Sequence, residues 1–174
     1  LRGIFSYGFE FPRQVQKKGI MAVINGQDTI VQAQSGTGKT ATFSISLLSK
    51  ITEEKTIQGI IISPTRELAS QSFKVIKSIG VYTDIVISLC IGGESVMSNI
   101  ENIQETNPQI IVATPGRILD IIEKRGMDTT NIKTLVVDEA DEMLSQGFKE
   151  QMYLILQKMP EELNISLFSA TIPR

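Results

Sequence analysis

Histidine and tryptophan are absent from the 174 residues, and only one cysteine, Cys90, is present. Without an imidazole, histidine-based acid–base catalysis is excluded and a zinc site is disfavoured. One cysteine cannot close a disulfide within the chain. Cys90 stands in an apolar stretch and reads as a buried, inert thiol, a usage that fits a reducing, intracellular setting, cytoplasmic or nuclear. No apolar run approaches the ~18 residues of a membrane span, and the N-terminus has no charged-then-apolar leader, so no membrane partner is expected. An excess of one charge is missing as well. Lys and Arg number 17 against 19 Asp and Glu, for a net charge of −2, so composition alone does not announce a nucleic-acid binder. Any such binding has to come from local geometry. The chain lacks an initiator Met, and its last residues, Thr171-Ile172-Pro173-Arg174, follow a strand pattern with no finishing element, which reads as part of a longer protein.

What is present is a soluble, globular balance, 41% hydrophobic and 21% charged residues, in a length that suits one domain. Short β-rich runs alternate with helical patterns from end to end. The strands are expected at Thr29–Gln32, Gly59–Ser63, Asp84–Cys90, Gln109–Ala113, Thr134–Val137 and Ile165–Ser169. Most are continuous Ile/Val/Leu runs, as required of strands covered on both faces. Helices are expected at Arg13–Ile24, Lys39–Lys50, Arg66–Ile79, Val96–Thr106, Gly116–Glu123, and Glu142–Leu144 with Lys149–Lys158. Met143, Met152 and Met159 are spaced for packing. The alternation implies an α/β domain with a mostly parallel sheet, right-handed crossovers and helices on both faces. Ligands of such sheets bind at the carboxyl ends of the strands, so the residues just after each strand carry the chemistry.

Two such segments belong together. Ala33-Gln34-Ser35-Gly36-Thr37-Gly38-Lys39-Thr40 matches the phosphate-loop pattern G-x-x-x-x-G-K-[ST] everywhere but its first position, where Ala33 stands. Gly36 and Gly38 allow the backbone, Ser35 and Thr37 included, to curl with consecutive N–H groups facing an anion at a helix N-terminus. Lys39 is placed to reach the β/γ-phosphates and the Thr40 hydroxyl to ligate Mg²⁺. A Gly-rich turn with a surface lysine has the same appearance; the strand before and the helix after favour the phosphate reading. The second segment is Leu135-Val136-Val137-Asp138-Glu139-Ala140-Asp141, two carboxylates at the end of an apolar strand. If that strand neighbours the first, Asp138 can hold Mg²⁺ through water and Glu139 can orient or deprotonate an attacking water. An acidic first helical turn alone would look no different; a nucleotide hydrolase needs both halves.

Together these residues resemble the DEAD-box RNA helicases, over essentially the whole chain. Asp138-Glu139-Ala140-Asp141 spells the family's name, and Ala33 is its usual variation of the phosphate loop. Gly8-Phe9-Glu10-Phe11-Pro12 with Gln16 resembles the adenine-reading motif, and Ser169-Ala170-Thr171 the coupling motif. Pro64-Thr65-Arg66-Glu67-Leu68, Gly92-Gly93 and Thr114-Pro115-Gly116-Arg117 resemble the RNA-contacting motifs. Asp138 through Lys149 and Leu1 through Glu10 are most similar to the translation initiation factor four-A branch of the family and its exon-junction relative. The sequence departs from the family at Arg13, usually Ser or Thr, and at Phe11, where a polar residue is commoner.

The resemblance implies a single RecA-like nucleotide-binding domain over residues 1–174, with a second RecA-like domain and its arginine finger outside this chain. It implies ATP and Mg²⁺ as ligands, with Phe9 near the base and the Gln16 carboxamide on the adenine N6/N7 edge, since one group offers both donor and acceptor. It implies RNA held largely by its sugar-phosphate backbone through Pro64, Thr65, Arg66, Gly92, Gly93, Thr114, Pro115, Gly116 and Arg117, with 2′-hydroxyl contacts favouring RNA over DNA. Arg66 and Arg117 have a structural alternative, ion pairs with Glu67 and Asp120. Lys39, Asp138, Glu139, Ser169 and Thr171 are the implied catalytic and coupling residues. Closure of two domains around RNA would bend the strand and separate short duplexes. A hydrolase acting on DNA or protein, and a non-catalytic RNA clamp, are the other readings; the partners would be translation or RNA-processing factors.

Overall fold

The computed structural model describes residues 1–34 and 36–171. Six strands form one sheet: β1 (Thr29–Gln32), β2 (Gly59–Ile62), β3 (Ile87–Cys90), β4 (Ile110–Ala113), β5 (Thr134–Val137) and β6 (Asn164–Ser169). Eight helices accompany them among the described residues: α1 (Arg2–Ser6), α2 (Gln14–Ile24), α3 (Lys39–Lys50), α4 (Arg66–Ile79), α5 (Val96–Thr106), α6 (Pro115–Glu123), α7 (Ala140–Ser145) and α8 (Lys149–Leu156). Every expected element is present, with bounds shifted by a few residues at most. The short helix α1 was not expected; Gly3 packs it so closely on the end of α4 that a Cβ there would stand 1.8 Å from the Ile79 carbonyl oxygen.

The sheet runs β1-β6-β5-β2-β4-β3, and all five pairings are parallel. Side chains alternate across it into two cores. Ile60, Ile62, Ile111, Ala113, Leu135 and Val137 point to one face, under α5, α6 and α8. Ile61, Ile110, Val112, Val136 and Phe168 point to the other, where Phe43 and Leu47 of α3 and Ala69 and Ile76 of α4 cover them. Strands β2, β4 and β5 are buried at every position. Unbroken apolar runs are the sequence form of that double burial. Met143 is buried in the first core, and Met152 and Met159 pack against it, as their spacing suggests.

The neighbour relation left conditional by the sequence is not met, although the two loops still meet. The strand bearing the phosphate loop, β1, does not neighbour β5, which bears the acidic pair; β6 lies between them and pairs with both. Sequence order says nothing of this, because β6 enters the sheet last and fills a central place left between two earlier strands.

Candidate nucleotide-binding site

The loops after β1 and β5 meet across the end of β6. Gly36 and Gly38 adopt positive φ, 80° and 91°, backbone that only glycine takes at little cost. The curl delivers Lys39 to the N-terminus of α3, where its side chain is 6% exposed and its ammonium lies 3.3 Å from a Glu139 carboxylate oxygen. This ion pair, the only one among the described residues, spans 100 positions of sequence. Glu139 is itself in the left-handed region, at φ 48°, a placement that costs a non-glycine residue about 1–2 kcal/mol. Such strain persists where the surroundings dictate the geometry, commonly at functional sites.

Asp138 is 4% exposed at the end of β5. Its Oδ1 accepts the Glu139 N–H at 3.0 Å and its Oδ2 accepts the Ser72 hydroxyl at 3.4 Å. Burial, followed by the negative charge of Glu139, pushes its acid up from the ordinary 3.8 to about 6, against the opposing pull of Lys39 and the two hydrogen bonds. A buried carboxylate with so little counter-charge is a natural partner for a hard cation.

These groups line one cleft of about 280 Å³. Phe9, Gly36, Gly38, Lys39, Thr40, Asp138 and Glu139, all foreseen from the sequence, are on its wall. Tyr7 and the α4 residues Leu68, Gln71, Ser72 and Val75 were not foreseen. The four form a helical i, i+3, i+4, i+7 stripe, but only Leu68 falls in a motif, one that resembles an RNA contact, and the other three fall in none. Ser35 lies outside the described residues. Thr37 turns its hydroxyl inward to the Gln34 carbonyl, at 2.6 Å, and is not on the wall.

Gln16 is buried, and its carboxamide is engaged within the protein. Its oxygen accepts the Arg13 N–H at 2.7 Å, closing the first turn of α2, and its nitrogen faces the Gly38 carbonyl at 3.5 Å. A Cβ on Gly38 would displace that amide, adding to the strain of the positive φ. Gln16 lines a smaller apolar cavity of about 190 Å³ beside the cleft, with Phe9 on the wall of both. Arg13, the departure from the family pattern, reaches the same loop, donating to the Gly36 carbonyl at 3.2 Å. Phe11 is 86% exposed at the rim of the apolar cavity.

Ser169 and Thr171 do not line the cleft; they are tied to the fourth residue of the acidic motif. Asp141 Oδ2 accepts the Thr171 N–H at 3.0 Å and its hydroxyl at 2.7 Å, and the Ser169 hydroxyl accepts the Asp141 N–H at 3.3 Å. Desolvation alone would raise the Asp141 acid, but the hydrogen bonds its carboxylate accepts, from the Thr171 hydroxyl and N–H and from the Glu142 N–H, outweigh it and hold the group down at about 2.

A second groove, of about 380 Å³, brings together Pro64, Thr65, Arg66, Gly92, Thr114, Pro115, Gly116 and Arg117 at the carboxyl ends of β2, β3 and β4. Thr65 caps α4, its hydroxyl accepting the Leu68 N–H at 3.2 Å. The Arg66 guanidinium lies flat over Gly92, where a Cβ would come within 2.6 Å of Nη2; Gly93 sits 3.7 Å from Nη1 on the same measure. Arg117 donates to Asn99 Oδ1 at 2.5 Å and to the Glu94 carbonyl at 2.9 Å. Neither arginine makes the ion pair with Glu67 or Asp120 left open by the sequence, so α4 and α6 both present N-termini and a guanidinium to the groove.

With this geometry in view, the likeness to known proteins is direct. The family model described as "DEAD/DEAH box helicase" matches residues 13–174. The chain belongs to that family. It is 50% identical to an ATP-dependent RNA helicase FAL1 of Candida albicans and 53% identical to an ATP-dependent RNA helicase eIF4A of Pyricularia oryzae, each match covering 100% of this chain and 44% of the relative. Among solved structures, a DEAD box protein of the hyperthermophile Methanococcus jannaschii superposes with a TM-score of 0.93 at 40% identity, covering 99% of this chain and 47% of that one. Dbp5 of S. cerevisiae bound to RNA and ADP BeF3 superposes at 0.88 and 35% identity, covering 99% and 44%. The DEAD-box chain therefore spans less than half the length of these relatives, and the matches extend over both of its clefts.

Proposed function

We propose that this domain is the ATP-binding half of an ATP-dependent RNA helicase, a motor whose RNA-stimulated ATP hydrolysis locally unwinds short duplexes. The observation that carries the reading is the Lys39–Glu139 pair: it joins the phosphate loop to the acidic strand end over an intervening strand, in a cleft that also holds Thr40 and Asp138. A fold without nucleotide chemistry has no reason to bury a lysine and an aspartate there beside a second carboxylate, at the cost of a strained backbone.

In this reading the α3 N-terminus and the Gly36–Gly38 backbone cradle the phosphates, and Lys39 leaves Glu139 to neutralise the terminal phosphate oxygens. Glu139, so released, orients the attacking water and accepts its proton. Thr40 and Asp138 offer only oxygen donors, a hard set that suits Mg²⁺ and not zinc or copper. When bound there, the ion neutralises charge on the phosphates. Phe9 and Gln16 flank the base side, and for Gln16 to address adenine its carboxamide must exchange a contact with Gly38 or Arg13 for the base edge. The groove of Arg66 and Arg117 takes RNA phosphates through guanidinium groups and helix N-termini, which explains how a domain of net charge −2 holds a polyanion without a basic stripe. The second RecA-like domain supplies the remaining RNA contacts and the arginine finger, and translation or RNA-processing factors are the expected partners, in cytoplasm or nucleus.

The direct test is Lys39→Ala by calorimetry with ATP and Mg²⁺. The expected result is a loss of affinity of at least tenfold with the fold intact; unchanged affinity removes the phosphate-loop assignment.

A further inference from the structure

A helical serine or threonine can turn its hydroxyl back onto its own helix. Ser6, Thr42, Ser46, Ser49 and Thr106 each turn their hydroxyl back to the carbonyl four residues earlier, at 2.7–2.8 Å. Ser72, in the middle of α4, does not. It is 2% exposed, and its hydroxyl reaches across 66 positions to Asp138 Oδ2, its one hydrogen-bond partner among the described residues. It makes no hydrogen bond to the carbonyls of its own helix, the usual local alternative.

The arrangement around Asp138 gives this contact its meaning. The other carboxylate oxygen accepts the N–H of Glu139, so the carboxyl plane is set at two points, one from the following backbone and one from α4. The backbone bond alone leaves rotation about χ2 open, because that torsion of Asp is broad. The hydroxyl of Ser72, 3.4 Å from Oδ2, supplies the second constraint. We infer that Ser72 is a positioning residue, which fixes the Asp138 carboxylate in the rotamer that meets a divalent cation on bound nucleotide. Groups that hold a metal-binding carboxylate in this way typically change metal affinity or activity 10–100-fold when removed. The inference rests on the nucleotide reading of the cleft. It adds to that reading a residue that the phosphate loop and the acidic motif do not contain, on a helix whose first residue, Arg66, stands in the other groove.

The experiment is calorimetry of ADP binding, with Mg²⁺ and separately in EDTA, for the wild-type chain, Ser72→Ala, Asp138→Asn and the double variant. Ser72→Ala should weaken binding of the Mg²⁺-nucleotide roughly tenfold and leave binding in EDTA unchanged. In the Asp138→Asn background it should cost nothing more, since its partner carboxylate is gone. Equal losses with and without Mg²⁺ would show that Ser72 merely shapes the cleft, and full additivity with Asp138→Asn would show that it acts elsewhere; either result overturns the assignment. Wild-type protein that binds ADP no better with Mg²⁺ than in EDTA overturns this role while leaving the cradle intact, and wild-type protein that binds no nucleotide at all overturns both.

Discussion

At the scale of single residues, the site depends on positions whose neighbours leave no choice. Gly38 combines a positive φ with a Gln16 amide at the place of its missing Cβ. Gly38→Ala should therefore lower the melting temperature and abolish nucleotide binding together, whereas Gly36→Ala, with open space at its Cβ, should cost only the strain of its φ. Calorimetry and thermal melts of the two variants separate these effects. Cys90 illustrates the opposite situation. Burial pushes its thiol up to about 12, with Arg117 opposing and Glu94 adding to the rise. At pH 8 almost none is thiolate, the reactive form, so iodoacetamide should fail to label native protein and label it readily in denaturant. The sequence already suggested an inert thiol from its apolar neighbours, and that much is local information.

Among elements, the strands were legible because burial on both faces writes itself as unbroken Ile and Val runs, and the helix starts because Thr65, Ser95 and Pro115 are good initiators. What could not be read was which elements meet. The Leu68–Val75 stripe of α4 faces the nucleotide cleft, and Arg13 reaches Gly36, through contacts made only when the sheet is assembled. The tie between α7 and the end of β6 is of this kind, and it makes a pH prediction. The folded Asp141 acid lies at about 2, below its ordinary 3.8. A depressed carboxylic acid contributes stability that is complete above the unfolded value and is lost as pH falls toward the folded one. The difference in melting temperature between wild type and Asp141→Asn should thus stay constant from pH 7 to about pH 4 and shrink only below it. A difference that instead faded between pH 7 and pH 5 would mean that the carboxylate is not held by Thr171. In the core between α3 and the sheet, Phe43 meets Phe168 edge-on at 5.2 Å, both fully buried. Phe43→Ala should cost about 3–5 kcal/mol in denaturant unfolding.

For the molecule as a whole, the two clefts lie side by side at the carboxyl edge of one sheet, with α4 bordering both. Lys39 is the one cation among the described residues that line the nucleotide cleft, so the chain by itself should bind nucleotide weakly and hydrolyse it negligibly. An arginine finger from a second domain is worth roughly 10³–10⁵ in rate. Steady-state phosphate release with and without RNA, compared between this chain and a two-domain protein, checks this. RNA-stimulated turnover by the single domain at the two-domain rate would refute it.

The place of β6 has a consequence for how the molecule comes into being. Among the described residues strand β1 has β6 as its sole partner in the sheet, and β6 is the last of these six strands in chain order. A nascent chain that has emerged only as far as Glu162 already carries the phosphate loop and all four acidic-motif residues, yet Thr29–Gln32 has nothing to pair with and the two halves have no spacer to set their distance. Nucleotide capture is therefore expected only once synthesis has passed Ser169, and a protein truncated at Glu162 should bind no ATP in calorimetry although every residue of this chain assigned to the phosphates has been made.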